Sequence, residues 1–357
     1  MRGETMELEK IDKNMATETV IRKDGLAFCD ATDAPLHVYG VEKSARGYFR
    51  LDPDVAERVS GGVAHLNFNT AGGRVRFMTD SMRIAIIAQR DTVYNPDHMT
   101  YCLVAGFDLY ADGEYVTTFR PGAERAGEQR FESCCNFGER GKKMREITIN
   151  FPAYGPVSEL LIGVDADSQL LPPPEYKYEK PVVFYGSSIT QGGCATRPGL
   201  VYSACLSRWL DANILNLGFS GSAKGEPQIA EYIAGLDMSA LVMAYDHNAP
   251  NPEHLLATHE PFYKIIREKN PDLPIILVSR PQFINVGERD ERLAVIKRTY
   301  DNAVVSGDKN IYFVPTPPSL EPIGNEGTVD GCHPNDLGFW HIAKGIYPVL
   351  KSALESK

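Results

Sequence analysis

The pattern of apolar residues changes near residue 175, and this change limits the folds open to the chain. Before it, short β-prone runs are separated by turn residues. After it, apolar runs alternate with stretches of helical periodicity. The first pattern is typical of an antiparallel sandwich or jelly roll, and the second of a parallel sheet covered by helices on both faces. The sequence therefore predicts an N-terminal β-sandwich domain at 20–170 and an α/β/α domain at 181–357.

The first predicted domain contains seven β-prone runs and no amphipathic helical pattern of useful length. These runs are 63–69, 74–77, 82–89, 102–110, 114–119, 146–151 and 159–164. Asp112 and Gly113 lie between two of them and predict a two-residue hairpin turn. A Pro-rich, charged connector follows at 171–180, and its consecutive prolines favour a semi-rigid hinge between the domains.

The second predicted domain alternates five strands with five helices. The strands are predicted at 182–185, 214–217, 240–245, 275–279 and 311–314, and the helices at 200–211, 227–235, 252–269, 288–305 and 336–354. In parallel sheets of this kind, reactive side chains collect at the carboxyl ends of the strands. The loops that follow the strands are therefore the first places to search for chemistry.

Charge and composition exclude several kinds of partner. The 37 Lys and Arg against 47 Asp and Glu give a formal charge of −10, so nucleic acid and anionic membranes are not expected partners. No apolar run approaches the roughly 20 residues of a membrane span, and the N-terminus lacks the apolar stretch of a signal peptide. The seven cysteines form no CxxC pair, which favours a reducing cytoplasm unless a leader has been removed. The sequence leaves the oligomeric state open.

Two segments carry the residues of a nucleophile and its base. Ser187 and Ser188 follow the first strand of the α/β half, where a serine hydroxyl can be exposed at the opening of a helix. Near the other end, Asp330 precedes His333 by three residues and the last helix by six. A carboxylate at that spacing can orient an imidazole that acts as a base for a serine. Either segment alone is weak evidence.

Two further loops offer hydrogen-bond donors. Gly221 ends the loop after the second strand, where glycine lets the backbone approach a ligand. Asn248, in the loop after the third strand, supplies a side-chain amide. Asp246 in that loop and Arg280 after the fourth strand are candidate substrate contacts. His247, His254 and His259 match no standard zinc spacing, so we expect no metal site from them.

The order of these four segments resembles the SGNH (GDSL-type) hydrolase family. The resemblance spans about 181–345 and implies a three-layer α/β/α fold that needs neither a metal nor an organic cofactor. It implies that Ser188 is the nucleophile, His333 the base and Asp330 its orienting acid. The implied oxyanion hole combines the N–H groups of Ser188 and Gly221 with the amide of Asn248.

Two positions depart from the family pattern. Ser187 stands where the family usually has an aspartate, which leaves open which of the two serines attacks. The third block reads Asp246-His247-Asn248-Ala249 and lacks the usual flanking glycine and aspartate. The prediction for Asn248 therefore has less support than those for Ser188 and His333.

A second resemblance concerns the first half. Residues 106–110 read GFDLY and are similar to the GxDLY signature of β domains that precede some SGNH hydrolases. The combination implies a serine esterase like several bacterial carbohydrate esterases, acting on O-acetyl groups of a sugar or oligosaccharide. Two alternatives stay open: a lipid or thioester hydrolase of the same fold, and a catalytically inert glycan-binding protein.

Overall fold

Two antiparallel sheets form the first half of this computed structural model, which describes residues 21–90, 96–121, 129–281, 289–316 and 320–356. The strands are β1 (Leu26–Asp30), β2 (His37–Tyr39), β5 (Arg74–Thr79), β6 (Arg83–Gln89), β7 (Phe107–Ala111), β8 (Glu114–Phe119), β9 (Arg130–Asn136), β10 (Arg145–Asn150), β11 (Glu159–Asp165) and β12 (Leu170–Leu171), with a small hairpin of β3 (Glu42–Ser44) and β4 (Gly47–Phe49). One sheet has the order β1-β11-β6-β9 and the other the order β12-β5-β10-β7-β8, with β2 beside β5. Their inward side chains share one buried core. The predicted sandwich is confirmed.

The predicted hairpin turn is also present. β7 and β8 pair antiparallel through Asp112 and Gly113, whose φ angles are +52° and +79°. Two successive positive φ angles define a type I′ turn, whose twist matches that of the flanking strands. Glycine adopts this conformation without a Cβ clash, and aspartate tolerates it better than most residues.

Two of the strand predictions for this half are at least partly wrong. The run 63–69 lies mostly in α2 (Gly61–Leu66), which follows α1 (Pro53–Val59), and the first residues of 102–110 lie in α3 (Tyr101–Val104). The Ser60 hydroxyl accepts from the main-chain N–H of Val63, and this cap satisfies a free donor at the start of α2. Short apolar runs do not distinguish strand from helix by periodicity, so a local cap of this kind decides the structure.

A five-stranded parallel sheet forms the centre of the second half. Its strands are β13 (Tyr178–Gly186), β14 (Ala212–Gly218), β15 (Ala240–Ala244), β16 (Ile275–Val278) and β17 (Ile311–Val314). Their order in the sheet is β14-β13-β15-β16-β17. The helices are α4 (Ser188–Gln191), α5 (Tyr202–Leu210), α6 (Pro227–Ala234), α7 (Pro252–Lys269), α8 (Arg289–Val305) and α9 (Asp336–Glu355). No helix within the described residues has the length and apolar character needed to cross a bilayer.

Both faces of this sheet are covered. Along β13, Val182 and Phe184 belong to one core cluster, whereas Val183 and Tyr185 belong to another. Alternate side chains of a strand point to opposite faces, so the two clusters are the two helix-covered layers. The predicted α/β/α class is confirmed. The strand order reverses at β13, and the crevice between β13 and β15 is the usual ligand position in such sheets.

The GFDLY segment joins the two halves. Asp108, on β7, is fully buried and accepts hydrogen bonds from Arg197 Nη1 at 2.7 Å and from the main-chain N–H of Gly199 at 2.8 Å. The Tyr110 hydroxyl also accepts from Arg197, at 2.6 Å. Arg197 and Gly199 lie on the segment between α4 and α5. The GFDLY segment therefore holds in place the segment between α4 and α5, which follows the predicted nucleophile in the sequence.

The Pro-rich connector is also held by side chains of the sandwich. The hydroxyl of Tyr176 accepts from Arg74 Nε at 2.7 Å, and the guanidinium of Arg76 lies 3.8 Å from the centre of its ring. Arg74 Nη2 also donates a hydrogen bond to the side-chain oxygen of Asn213 on β14. These contacts fasten the connector to β5 and oppose the hinge motion that its sequence predicts.

Candidate active site

The two adjacent serines occupy different environments. Ser187 caps α4: its hydroxyl accepts from the main-chain N–H of Ile189 at 3.2 Å, and the residue is 1% exposed. Ser188 opens α4, and its Oγ lies 3.0 Å from Nε2 of His333. A nucleophile must be within hydrogen-bond reach of its base. The geometry therefore favours Ser188 over Ser187.

The loop before α9 presents the imidazole of His333. Nδ1 lies 2.7 Å from Oδ2 of Asp330, while Oδ1 of Asp330 accepts from the main-chain N–H groups of His333 and Cys332. Partial burial would raise the pKa of Asp330, but the N–H and imidazole of His333 and the N–H of Cys332 outweigh it and lower that pKa to about 2. Asp330 is therefore an anion that fixes Nδ1–H and leaves Nε2 facing Ser188.

The loops predicted to bind an oxyanion contact one another. Nδ2 of Asn248 donates to the main-chain carbonyl of Phe219 at 2.9 Å, and the N–H of Ser220 donates to Oε1 of the buried Gln191 on α4 at 3.0 Å. Gly221 follows with a φ of +66° and open space around its Cα. The structure thus brings together the loops after β13, β14 and β15, and the donor role of Gly221 stays a prediction.

Residues of the first half also reach this region, and sequence reasoning missed them. The hydroxyl of Tyr154 donates to the main-chain carbonyl of Ser188 at 3.1 Å. The buried guanidinium of Arg50 donates to the main-chain carbonyls of Asn216 and Gly218 at 3.0 and 2.6 Å, at the end of β14. No spacing within the first half marks these side chains, because their partners lie in the second.

A cleft of about 590 Å³ opens beside His333. Side chains of both halves line it, including His65, Phe68, His98, Tyr154, Ser220 and His333. The guanidinium of Arg46 lies 3.9 Å above the ring of Phe68 at its wall. The volume is in the range of small-ligand sites, which combine apolar walls with a few directed polar groups. The first half therefore shapes the space beside His333, the residue that contacts Ser188.

Neither predicted substrate contact in the α/β half lines this cleft. Asp246 is 1% exposed, and its Oδ2 accepts from the main-chain N–H of Arg280 at 3.0 Å. This position gives no support to the substrate contact predicted for Asp246, which stays a prediction. Arg280 borders a different, small cavity of about 20 Å³, which Ser187 and His247 also line. Its predicted substrate contact has no support from this position.

Replacing Asp246 with asparagine should stabilise the protein at neutral pH. Burial raises the pKa of Asp246 to about 6, above its ordinary value of 3.8. A group whose pKa is raised by folding favours the folded state below about pH 4, and this advantage is lost as the pH rises through 6. We expect Asp246→Asn to gain roughly 1–3 kcal/mol at pH 7.5, measured by urea denaturation. A gain that is as large at pH 4 would contradict this cause.

The other histidines of the α/β half have partners within the protein. His259 is buried, stacks on Tyr245, and has Nδ1 2.9 Å from Oγ1 of Thr299. His247 Nε2 lies 3.0 Å from Sγ of Cys332. Burial lowers the pKa of His247 to about 4 and raises that of the Cys332 thiol. The Cys332–His247 pair is therefore neutral and lacks the thiolate of a second nucleophile.

Two family models match the sequence, one in each half of the chain. Residues 179–351 match the model of the GDSL-like lipase/acylhydrolase family, and residues 26–170 match the GxDLY model, the N-terminus of SGNH-hydrolase-type esterases. The α/β half therefore matches the GDSL-like lipase/acylhydrolase family, and the sandwich matches the N-terminal domain found in SGNH-hydrolase-type esterases. Both descriptions are of ester hydrolases, and the chain is called GDSL-like below for this similarity. None of the curated proteins matches its sequence significantly.

Solved structures resemble the GDSL-like chain over most of its length. A protein from Bacteroides ovatus, described as a GDSL-like lipase, is 28% identical with a TM-score of 0.82, covering 92% of this chain and 98% of that one. A salicylyl-acyltransferase from a tetracycline biosynthetic pathway is 18% identical with a TM-score of 0.72, covering 93% and 98%. A family two carbohydrate esterase from Clostridium thermocellum, in complex with cellohexaose, is 14% identical with a TM-score of 0.62, covering 90% and 99%. The last two show a shared fold.

Proposed function

We propose that this GDSL-like protein is a serine esterase that hydrolyses short acyl esters, chiefly O-acetyl groups on carbohydrate. The observation that carries the chemistry is the chain of contacts from Ser188 Oγ to His333 Nε2 at 3.0 Å and from His333 Nδ1 to Asp330 at 2.7 Å. This is the geometry by which an imidazole activates a hydroxyl and an aspartate holds the imidazole. An inert glycan-binding protein would have no need of it.

Each residue of the group then has one task. Ser188 Oγ attacks the ester carbonyl carbon while His333 Nε2 takes its proton, and the resulting imidazolium gives that proton to the departing sugar oxygen. Asp330 stabilises the imidazolium. Water attacks the acyl-enzyme in a second round, with His333 again as the base, and releases the acid and free Ser188. The steps require no cofactor.

The negative oxygen of each tetrahedral intermediate needs donors. We assign them to the N–H groups of Ser188 and Gly221 and the side-chain amide of Asn248. One amide hydrogen of Asn248 is used by the carbonyl of Phe219, which fixes the orientation of the amide. The second hydrogen is the one that donates to the oxyanion. Donors fixed in advance in this way lose no energy to reorganisation during the reaction.

Replacing Asn248 with alanine should lower kcat by about 10²–10³-fold with little change in KM. The loss falls on kcat because the donor acts on charge that develops only in the transition state. Steady-state kinetics on nitrophenyl acetate will measure it. Asn251→Ala is the matched control, since Asn251 caps α7 at the far end of the same loop. A loss in KM alone would remove Asn248 from the oxyanion hole.

The lining of the cleft favours a sugar over a long acyl chain. Its aromatic surfaces, among them Phe68 and Tyr154, stand beside the polar side chains of Asn69, Ser158 and Ser220. Flat apolar rings pack against the C–H faces of a sugar while directed polar groups bond to its hydroxyls. A lipid hydrolase would instead need a continuous apolar channel for the acyl chain. The carbohydrate esterase of the same fold binds a cello-oligosaccharide, which supports this choice.

Acetylated oligosaccharides incubated with the enzyme will test the substrate class, with mass spectrometry reporting the loss of acetyl units and Ser188→Ala as the blank. We expect acetyl loss, and we expect Phe68→Ala to raise KM for the oligosaccharide while leaving kcat/KM for nitrophenyl acetate nearly unchanged. Faster hydrolysis of nitrophenyl octanoate than of nitrophenyl acetate, with no oligosaccharide deacetylated, would favour the lipid alternative.

A further inference from the structure

Three side chains that can bind a metal ion converge beside the cleft, two of them in its lining and one buried next to them. One ring nitrogen each of His98 and His333 and Sγ of Cys194 all lie within 4.8 Å of one another. They come from three separate segments: His98 precedes α3 in the first half, Cys194 follows α4, and His333 precedes α9. The rings of His98 and His333 are tilted against each other, with their centres 5.5 Å apart. The group spans both halves of the molecule.

The donor set has a definite chemical preference. Two imidazole nitrogens and one sulfur suit Zn²⁺ and similar soft divalent ions, whereas Ca²⁺ and Mg²⁺ prefer oxygen ligands. Ligand distances of about 2.0–2.3 Å place tetrahedral donors roughly 3.5 Å apart. Bringing the three donor atoms from 4.8 Å to this separation requires a shift of about an ångström. The side chain of His98 can make this shift because it is 33% exposed. A fourth position remains for water, as in zinc sites with three protein ligands.

Binding there would compete with the proposed reaction. Asp330 holds Nδ1 of His333, so Nε2 is the nitrogen left to bind an ion, and Nε2 is also the atom that contacts Ser188. We propose that His98, Cys194 and His333 form an inhibitory site for a soft divalent cation such as Zn²⁺. The ion takes the lone pair with which His333 would accept the proton of Ser188, and the Cys194 thiol releases its own proton to solvent on binding.

Binding and inhibition are measured separately, because the inhibition rests on the proposed function and the binding does not. The probe is zinc chloride added to the full chain after treatment with a chelator. Competition with a chromophoric zinc chelator should give one site in the wild type and in Ser188→Ala. The affinity should fall at least about tenfold in His98→Ala and in Cys194→Ala. Zinc should also raise the Tm of the wild type and of Ser188→Ala but not of His98→Ala.

The activity arm compares each variant with itself, with and without zinc. Zinc should inhibit hydrolysis of nitrophenyl acetate by the wild type, magnesium should not, and the inhibition constant should rise at least about tenfold in His98→Ala. His65→Ala is the matched control: it removes an imidazole from the same cleft, outside the cluster, and should leave the inhibition constant unchanged. Equal zinc affinity in the wild type, His98→Ala and Cys194→Ala would overturn the site. Zinc binding to a protein without esterase activity would overturn the proposed function alone.

Discussion

Replacing Ser188 with alanine should reduce kcat for nitrophenyl acetate by about 10⁴-fold or more, because it removes the atom that forms the acyl-enzyme. The donors around the carbonyl would remain, so a small rate above that of water should persist. KM should change little, since the hydroxyl contributes few contacts to the bound ester. Steady-state hydrolysis and the absence of a burst of nitrophenol will report both effects.

The neighbouring serine supplies a matched control. Ser187→Ala removes the cap that accepts from Ile189 N–H, which costs about 1 kcal/mol of stability. Its hydroxyl is not placed against His333, so kcat should stay within about tenfold of the wild type, a change worth about 1.4 kcal/mol. If Ser187→Ala loses as much activity as Ser188→Ala, the assignment of the nucleophile fails. Equal rates in Ser188→Ala and the wild type would remove Ser188 from the mechanism.

Replacing Asp108 with alanine should lower the free energy of unfolding by about 3–5 kcal/mol. The change leaves the mostly buried guanidinium of Arg197 without its carboxylate and the N–H of Gly199 and the amide of Asn150 without their acceptor. Removing one partner of a buried ion pair is costly because the other charge stays desolvated. Urea denaturation followed by circular dichroism measures the loss.

An exposed ion pair of the same sandwich provides the comparison. Arg130 and Glu159 lie 3.3 Å apart with nearly half of each side chain exposed, so Glu159→Ala should cost no more than about 1 kcal/mol. A double-mutant cycle with Arg197→Ala isolates the Asp108–Arg197 contact. A loss below 1 kcal/mol in Asp108→Ala would mean that the GFDLY segment does not hold the two halves together.

The sequence predicted the α/β half more accurately than the sandwich. The run 311–314 coincides with β17, and the pattern at 252–269 coincides with α7. Buried parallel strands are continuous apolar runs and their helices carry a regular apolar stripe, so both signals lie within one segment. The sandwich is built from long-range pairs instead. β9 was not predicted, because its register against β6 depends on partners about fifty residues away.

The residues of the candidate site also fall into those that the sequence predicted and those that it did not. Ser188, Asp330 and His333 could be predicted because Ser188 follows a recognisable strand, and Asp330 and His333 lie close together just before a recognisable helix. Arg50, His98 and Tyr154 were missed because nothing around them indicates contacts with residues 34 to 235 positions away. For Asp246 the position at the end of β15 suggested the cleft, whereas its side chain is buried. Position along the chain identifies a loop but does not give the direction of a side chain.

The buried guanidinium of Arg50 determines whether the α/β half of this protein can be separated from the sandwich. It is supplied by the sandwich, yet it bonds to the carbonyls at the end of β14, where the predicted oxyanion loop begins. Removing the sandwich would remove the hydrogen bonds that support this loop. It would also expose apolar surface that the sandwich now covers. We therefore expect the α/β half to need the β portion in order to fold stably, so that the β portion is not a detachable accessory module.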